Sequence, residues 1–194
     1  MIKISICGND PSFRHWGIAV GEYCLVTNRV VINHLDVIEP VLTKSKQVRQ
    51  NSLDVEASKQ IFESVYRYTK DAQVVFAEVP VGSQNSRAAT AFGVCVGVLG
   101  CLNGLGISIN EVTPTQVKVA AVNNKTATKQ QMITWASMLH PEANWPTYNH
   151  KGKTLITESK AEHMADAIGS IYAGIASPHF QQLLNTLKKA NYAN

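Results

Sequence analysis

Lys3-Ile4-Ser5-Ile6-Cys7-Gly8-Asn9-Asp10-Pro11-Ser12, returning as His15-Trp16-Gly17-Ile18-Ala19-Val20, is the stretch on which the reading of the fold turns. Ile2, Ile4 and Ile6 alternate with polar or small residues, the period of a half-buried strand. Asp10 stands at the end of that strand, where Gly8 and Pro11 break the pattern. Taken alone, an Asp before Pro reads as a turn residue that bonds its own backbone. An acid at the mouth of an apolar strand gains a second reading if other acids gather there, and later stretches supply them.

With 194 residues the chain is long enough for a full core and is expected to form a single domain over residues 1–194. A 45% hydrophobic and 16% charged composition excludes a disordered chain. The net charge of +4 permits a polyanionic partner without requiring one. Cys7, Cys24, Cys95 and Cys101 form no C-x-x-C pair, which leaves a zinc ribbon or thioredoxin motif unsupported. Cys7, Cys95 and Cys101 lie in apolar runs and read as small core residues. Ala88 to Leu105 is uncharged, but its four glycines, Asn103 and Thr90 favour a buried helix over a membrane span. No signal-peptide pattern opens the sequence, and a cytoplasmic protein is expected.

Residues 2–7, 16–21 and 29–38 read as an antiparallel meander with turns at Asp10-Pro11 and near Glu22-Tyr23. A helix is expected over 46–70, with Val48, Leu53, Val55, Ile61, Phe62, Val65 and Tyr66 as its apolar stripe. Val74 to Val79 is continuously apolar up to Glu78, as for a central strand, and Pro80-Val81-Gly82-Ser83 ends it. A helix over 86–105 is expected to pack closely through Gly93, Gly97 and Gly100. A strand at 107–112 leads into Thr113-Pro114, which opens a helix with Pro at its first position. Thr126 to Lys129 opens the next, to about Leu139. Residues 140–157 read as loop, and helices follow over 158–176 and 178–190. The order predicts an α/β fold with a mixed five-stranded sheet, three antiparallel strands then parallel ones, and helices on both faces.

Asp10 and Glu78 both stand near the ends of predicted central strands, and neighbouring strands lie about 4.8 Å apart. His163 and Asp166, three apart, share a helix face, with Glu162 one turn before Asp166. An oxygen-rich set with one nitrogen suits Mg²⁺ or Mn²⁺ better than zinc, and two such ions are expected to drive phosphodiester hydrolysis. The competing readings are a surface His and Asp on a helix and a Glu satisfied by a nearby Lys.

Ile6-Cys7-Gly8-Asn9-Asp10-Pro11-Ser12 followed by Gly17-Ile18-Ala19 resembles the first motif of RuvC-type Holliday junction resolvases. Phe76-Ala77-Glu78 before a small-residue helix resembles the second. Ala161-Glu162-His163-Met164-Ala165-Asp166-Ala167 resembles the C-terminal motif, in the variant with His at the first acid position. The resemblance spans residue 3 to about 175. It implies a ribonuclease H-like fold, a homodimer, and metal-dependent paired nicking of four-way DNA junctions. It also implies catalytic and metal-binding roles for Asp10, Glu78, His163 and Asp166. Lys118 and Lys129 resemble the family's phosphate-contacting lysines, with Lys125 a weaker counterpart. A lysine near a helix start adds its charge to exposed N–H groups and suits a phosphate.

The sequence departs from the family after the second motif, where Val79 to Asn85 carries no aromatic to wedge into a junction. In the segment 140–157, Trp145, Tyr148, His150, Lys151 and Lys153 offer groups that stack on bases and meet phosphates. The alternative there is a solvated loop with its Trp on the core. The function expected is a junction-resolving endonuclease that acts on branched DNA and binds no membrane. The rivals are a nuclease for other branched DNA or structured RNA, a non-catalytic junction-binding module, and an ATPase of the same superfold. The last lacks Gly-rich phosphate loops beyond the first hairpin.

Overall fold

The structure, a computed structural model, describes residues 3–43, 47–79, 82 and 85–192. Ile2, Lys46 and most of the expected strand-ending turn, Pro80, Val81 and Ser83, lie outside the described residues. The chain runs β1 (Lys3–Asp10), β2 (Trp16–Cys24), β3 (Arg29–Ile38), α1 (Gln50–Thr69), β4 (Val74–Glu78), α2 (Ser86–Gly104), β5 (Ile109–Val112), α3 (Pro114–Val122), α4 (Lys129–Leu139), β6 (Thr147–His150), β7 (Lys153–Ile156), α5 (Glu158–Ala176) and α6 (Pro178–Tyr192). Five strands form the main sheet in the order β3-β2-β1-β4-β5. β1, β2 and β3 pair antiparallel, whereas β4 joins β1 and β5 joins β4 in parallel. This is the mixed sheet that the element order predicts.

Side chains alternate between the two faces of a strand, so β1 feeds both layers. Ile4 and Ile6 pack with Phe76 under α3, α4, α5 and α6. Cys7 packs with Trp16, Ile18, Val75 and Ala77 under α1 and α2. The first hairpin is longer than its alternation suggests. β1 continues through Asp10, paired to Gly17, and β2 runs on to Cys24. The turn expected at Glu22-Tyr23 falls at 25–28 instead. Tyr23 and Cys24 are buried, Glu22 pairs outward with Lys3 at 2.6 Å, and Asn28 takes the left-handed conformation (φ 55°) that closes the turn.

α5 lies against β1 and β2 because two glycines let it. A Cβ at Gly8 would overlap the carbonyl oxygen of Ala167, and one at Gly17 would overlap that of His163. The helix face that meets them is equally small, with Ala161, Ala165 and Ala167 fully buried.

Other expectations need correction. α1 starts at Gln50, and its buried stripe is Asp54, Ala57, Ile61, Val65 and Thr69, while Val55 is exposed. Asp54 is tolerated inside because Arg87 binds both its oxygens, at 2.6 and 2.7 Å. α2 is not a buried helix: Cys95, Val98, Leu99 and Leu102 face the core, but a Cβ at Gly93, Gly97 or Gly100 would meet nothing among the described residues. Cys101, read as a core residue, is exposed on that open side. The segment 140–157 is not simply loop, since β6 and β7 form a separate two-stranded hairpin within it. Residues 147–155 are exposed and mostly polar, and Ile156 alone of the hairpin packs on the core, so hydrophobic periodicity carries little trace of it. Trp145 is tucked onto the core, donating from Nε1 to the His140 carbonyl at 2.9 Å.

Gly17→Ala should destabilise the protein, because the new methyl meets helix backbone rather than a side chain that can turn away. Overpacking of this kind costs about 1–3 kcal/mol. Urea denaturation checks it, and a midpoint equal to wild type would mean that α5 does not sit this close to β2.

Candidate active site

Asp10 ends β1 and Glu78 ends β4. The two parallel strands are paired up to Asn9 and Ala77, so the acids project from adjacent carboxyl ends of the sheet. α5 lies over this edge and presents His163 and Asp166 one turn apart. His163 Nδ1 donates to Asp10 Oδ2 at 2.7 Å, and both side chains are largely buried. The other ring nitrogen, Nε2, faces Glu162 Oε1 at 3.5 Å. Lys118, half-buried on α3, places its charge where it acts on both Glu78 and Asp166.

The electrostatics follow from crowding acids in a dry place. Burial, then the charges of Asp10 and Asp166, push Glu78 up to about 8, opposed by Lys118. Burial and Asp10 push Asp166 up to about 7, opposed by His163 and Lys118. Burial draws the His163 imidazole down, but its hydrogen bond to Asp10 and the charges of Asp10, Glu162 and Asp166 outweigh it. The ring is held above its ordinary value. Among the described residues, Asp166 Oδ1 is the buried side-chain polar atom with no hydrogen-bond partner.

These features bear on whether the site suits a metal. As the side chains stand, no group of three or more His, Cys, Asp or Glu among the described residues is arranged to hold an ion. His163 spends its Nδ1 on Asp10, and its raised pKa favours the charged ring there. The donor chemistry nonetheless fits a hard divalent ion. An orphaned buried carboxylate oxygen and two acids driven toward protonation mark a place short of positive charge.

The sequence-predicted residues therefore divide. Asp10, Glu78, His163, Asp166 and Lys118 come together. Lys129 stands at the rim, exposed, with Nζ held by Glu162 Oε2 at 2.7 Å. Lys125 is exposed in the turn between α3 and α4, and no ion pair among the described residues links it to the site. Two contributors escaped the sequence reading, His15 and Asn9, and Glu162, noted there only as an acid one turn before Asp166, takes on a wider part. Glu162 is a hub between Lys129 and His163. His15 stacks on His163 with ring centroids 5.4 Å apart. Asn9, fully buried, accepts from Trp16 Nε1 at 3.1 Å and donates through Nδ2 to the Phe76 carbonyl at 3.2 Å. Its backbone N–H donates to Ser170 Oγ at 3.2 Å, tying the strand end to α5. A polar residue inside an apolar strand, directly before an acid, is the signal that marks Asn9 in retrospect.

No family model and no curated protein matches the sequence. Solved structures do match the fold. Thermus thermophilus RuvC in complex with a Holliday junction substrate superposes with a TM-score of 0.58 at 18% identity, over 88% of this chain and 92% of that one. The yeast mitochondrial Holliday junction resolvase superposes with a TM-score of 0.56 at 12% identity, over 94% of this chain and 85% of that one. The chain shares the RuvC fold, as its motifs suggest.

The pH dependence of stability tests the site's electrostatics. A carboxyl whose folded pKa exceeds its unfolded one keeps its proton longer in the folded state. Its stabilisation is present at low pH and lost as pH rises through the folded value. Glu78 and Asp166 do this up to about 8 and about 7, and His163, also raised, has the same sign. Buried His140 is lowered and acts in the opposite sense, so a difference between variants is the clean measure. In EDTA, Asp166→Asn should raise the thermal midpoint over wild type at pH 8.5 and by less at pH 5. Equal shifts at both would show that Asp166 ionises like a surface acid.

Proposed function

We propose that this chain is a metal-dependent endonuclease that resolves four-way DNA junctions by paired nicking, built as a single nuclease domain over residues 1–194. The observation that carries the reading is the buried acid cluster, with its unpaired Asp166 oxygen, at the parallel strand ends of a fold shared with two junction resolvases. Asp10, Glu78, Asp166 and His163 would hold the ions, Mg²⁺ or Mn²⁺ and two by family resemblance. Such ions, when bound, would supply charge to the scissile phosphate and lower the pKa of a water so that it loses a proton and attacks as hydroxide.

The chain's own residues supply the rest. Lys118, beside Glu78 and Asp166, offsets charge that builds on the phosphate oxygens. Lys129 at the rim meets the DNA backbone, exchanging Glu162 for phosphate, and Lys125 extends that contact. His163 releases its proton and its bond to Asp10 before either side chain can act as a ligand. Asn9 fixes the strand end that carries Asp10.

Paired nicking needs two sites, so a two-fold dimer is part of the reading. The open side of α2 supports it: Gly93, Gly97 and Gly100 allow close approach, and Val96 lies exposed beside them. The inner face of the same helix belongs to the core, which argues against a membrane role for it, and a cytoplasmic protein acting on DNA is part of the reading. The absence of an aromatic from Val79 to Asn85 favours a second, broader reading, cleavage of other branched nucleic acids.

A synthetic four-way junction compared with linear duplex, in Mg²⁺, Mn²⁺ or EDTA, tests the proposal. Asp10→Asn and Glu78→Gln should abolish cleavage and leave junction binding largely intact. Near wild-type cutting by either would remove the acid cluster from the mechanism. Sedimentation should give a dimer at micromolar concentration.

The pH profile carries the ligand assignment. Glu78, Asp166 and His163 all have raised values, so activity should be low near pH 6 and climb toward pH 8, with bound metal moving the limb to lower pH. Mn²⁺ should outperform Mg²⁺ because it accepts imidazole more readily. His163→Asp should retain activity and narrow that gap, and His163→Ala should lose most activity with either ion. An active alanine variant with unchanged metal preference would exclude His163 as a ligand.

A further inference from the structure

We propose that the β6–β7 hairpin is a second DNA-contacting element, which grips the sugar-phosphate backbone of a duplex arm outside the active site. The inference rests on the junction-resolving reading above. The hairpin pairs only with itself, and residues 147–155 are all exposed. From Trp145 to Thr157 there is no Asp or Glu, while His150, Lys151 and Lys153 crowd the tip. The pairing register puts Tyr148 opposite Leu155 and His150 opposite Lys153, so one face carries an aromatic ring and basic groups together.

The ribbon is well formed rather than loose. Lys151 and Gly152 both take left-handed conformations (φ 48° and 76°), the pattern of a tight two-residue hairpin turn. A lysine is a costly choice for such a position, where Asn or Gly fits better. The hairpin base is tied by Thr157 N–H to the Pro146 carbonyl at 2.7 Å, immediately before α5 begins. The element that carries His163 and Asp166 therefore also carries the hairpin.

A continuous track joins the two. Gln130, Ile133 and Glu158 line both the groove beside Lys129 and Glu162 and the groove beside Tyr148 and Thr154. A strand that engages Lys129 can follow this track to Tyr148 and Thr154 in the body of the hairpin, with His150 and Lys153 nearer its tip. Two acids border it. Glu162 is paired with Lys129, and Glu158 sits in the first turn of α5, where the helix dipole favours it. A two-stranded ribbon is of a size to enter or follow a DNA groove about 12 Å wide, and lysines and tyrosine hydroxyls are ordinary phosphate partners. Self-association through the tip would bring lysines of two copies together, which disfavours a second copy as the occupant.

The test compares wild type with Lys151→Ala/Lys153→Ala, in EDTA to prevent cutting. Anisotropy titrations use labelled four-way junctions with short and with long arms, and a linear duplex, over a range of salt. Wild type should gain affinity as the arms lengthen, and the double variant should lose that gain. Its plot of log K against log salt should be shallower by about 1.8, at about 0.9 per phosphate contact. Identical affinities and slopes for the two proteins, with wild type still preferring junction to duplex, would overturn the hairpin inference alone. Wild type that showed no such preference would instead sink the junction reading, and a slope still shallower in the variant would keep the hairpin as a DNA contact. A variant with changed sedimentation and an unchanged slope would make the hairpin a protein interface and overturn the inference.

Discussion

Too many carboxylates in too little water is the constraint that organises this molecule. Asp10 and Glu78 end adjacent parallel strands, and α5 lowers Asp166 onto them. Burial alone disfavours three ionised acids there, and their mutual repulsion adds to it. The chain answers with His163 bonded to Asp10 and held above its ordinary pKa, with Lys118 nearby, and with the Glu78 and Asp166 pKa values pushed to about 8 and about 7. None of this satisfies Asp166 Oδ1. A protein that only needed a stable core would do better with apolar groups at these positions. Their retention makes sense as a place built for added positive charge.

That crowding depends on how closely α5 approaches the sheet, and the approach depends on absent side chains. Gly8 and Gly17 remove the methyls that would hold the helix away, and the helix meets them with alanines. The Asn9 network then fixes the strand end from inside, through Trp16, the Phe76 carbonyl and Ser170. Packing and electrostatics are thus coupled. The same close approach that excludes water from the site also raises the pKa values of Glu78 and Asp166.

Much of this was legible in the residues. The alternation of Ile4 and Ile6, the apolar run ending in Glu78, and the Thr113-Pro114 helix start each encode their structure locally, and all appear. The acid set converges because each member lies at the end of a strand or on a helix face whose periodicity is plain. What was not legible depends on partners distant in sequence. Glu162 reads in the sequence as one more acid a turn before Asp166, and its pairing with Lys129 depends on another helix. Asp54 looks exposed until Arg87 reaches it from another helix. Gly93, Gly97 and Gly100 suggest close packing, but composition cannot say whether anything in the chain meets them, and among the described residues nothing does. The β6–β7 hairpin meets the core only through Ile156 among its described residues and therefore leaves little hydrophobic signature.

The Trp16–Asn9 bond gives the protein an optical property. Trp16 is fully buried on the α1 and α2 side of the sheet, and its indole N–H is bound to the residue next to Asp10. Trp135 and Trp145 are only partly buried and lie against the opposite layer. A water-borne collisional quencher can approach those two and is shut out from Trp16. The residual emission in its presence belongs to an indole one residue from the acid cluster. The chain therefore contains its own fluorophore for watching the strand end tighten or loosen, with no label attached.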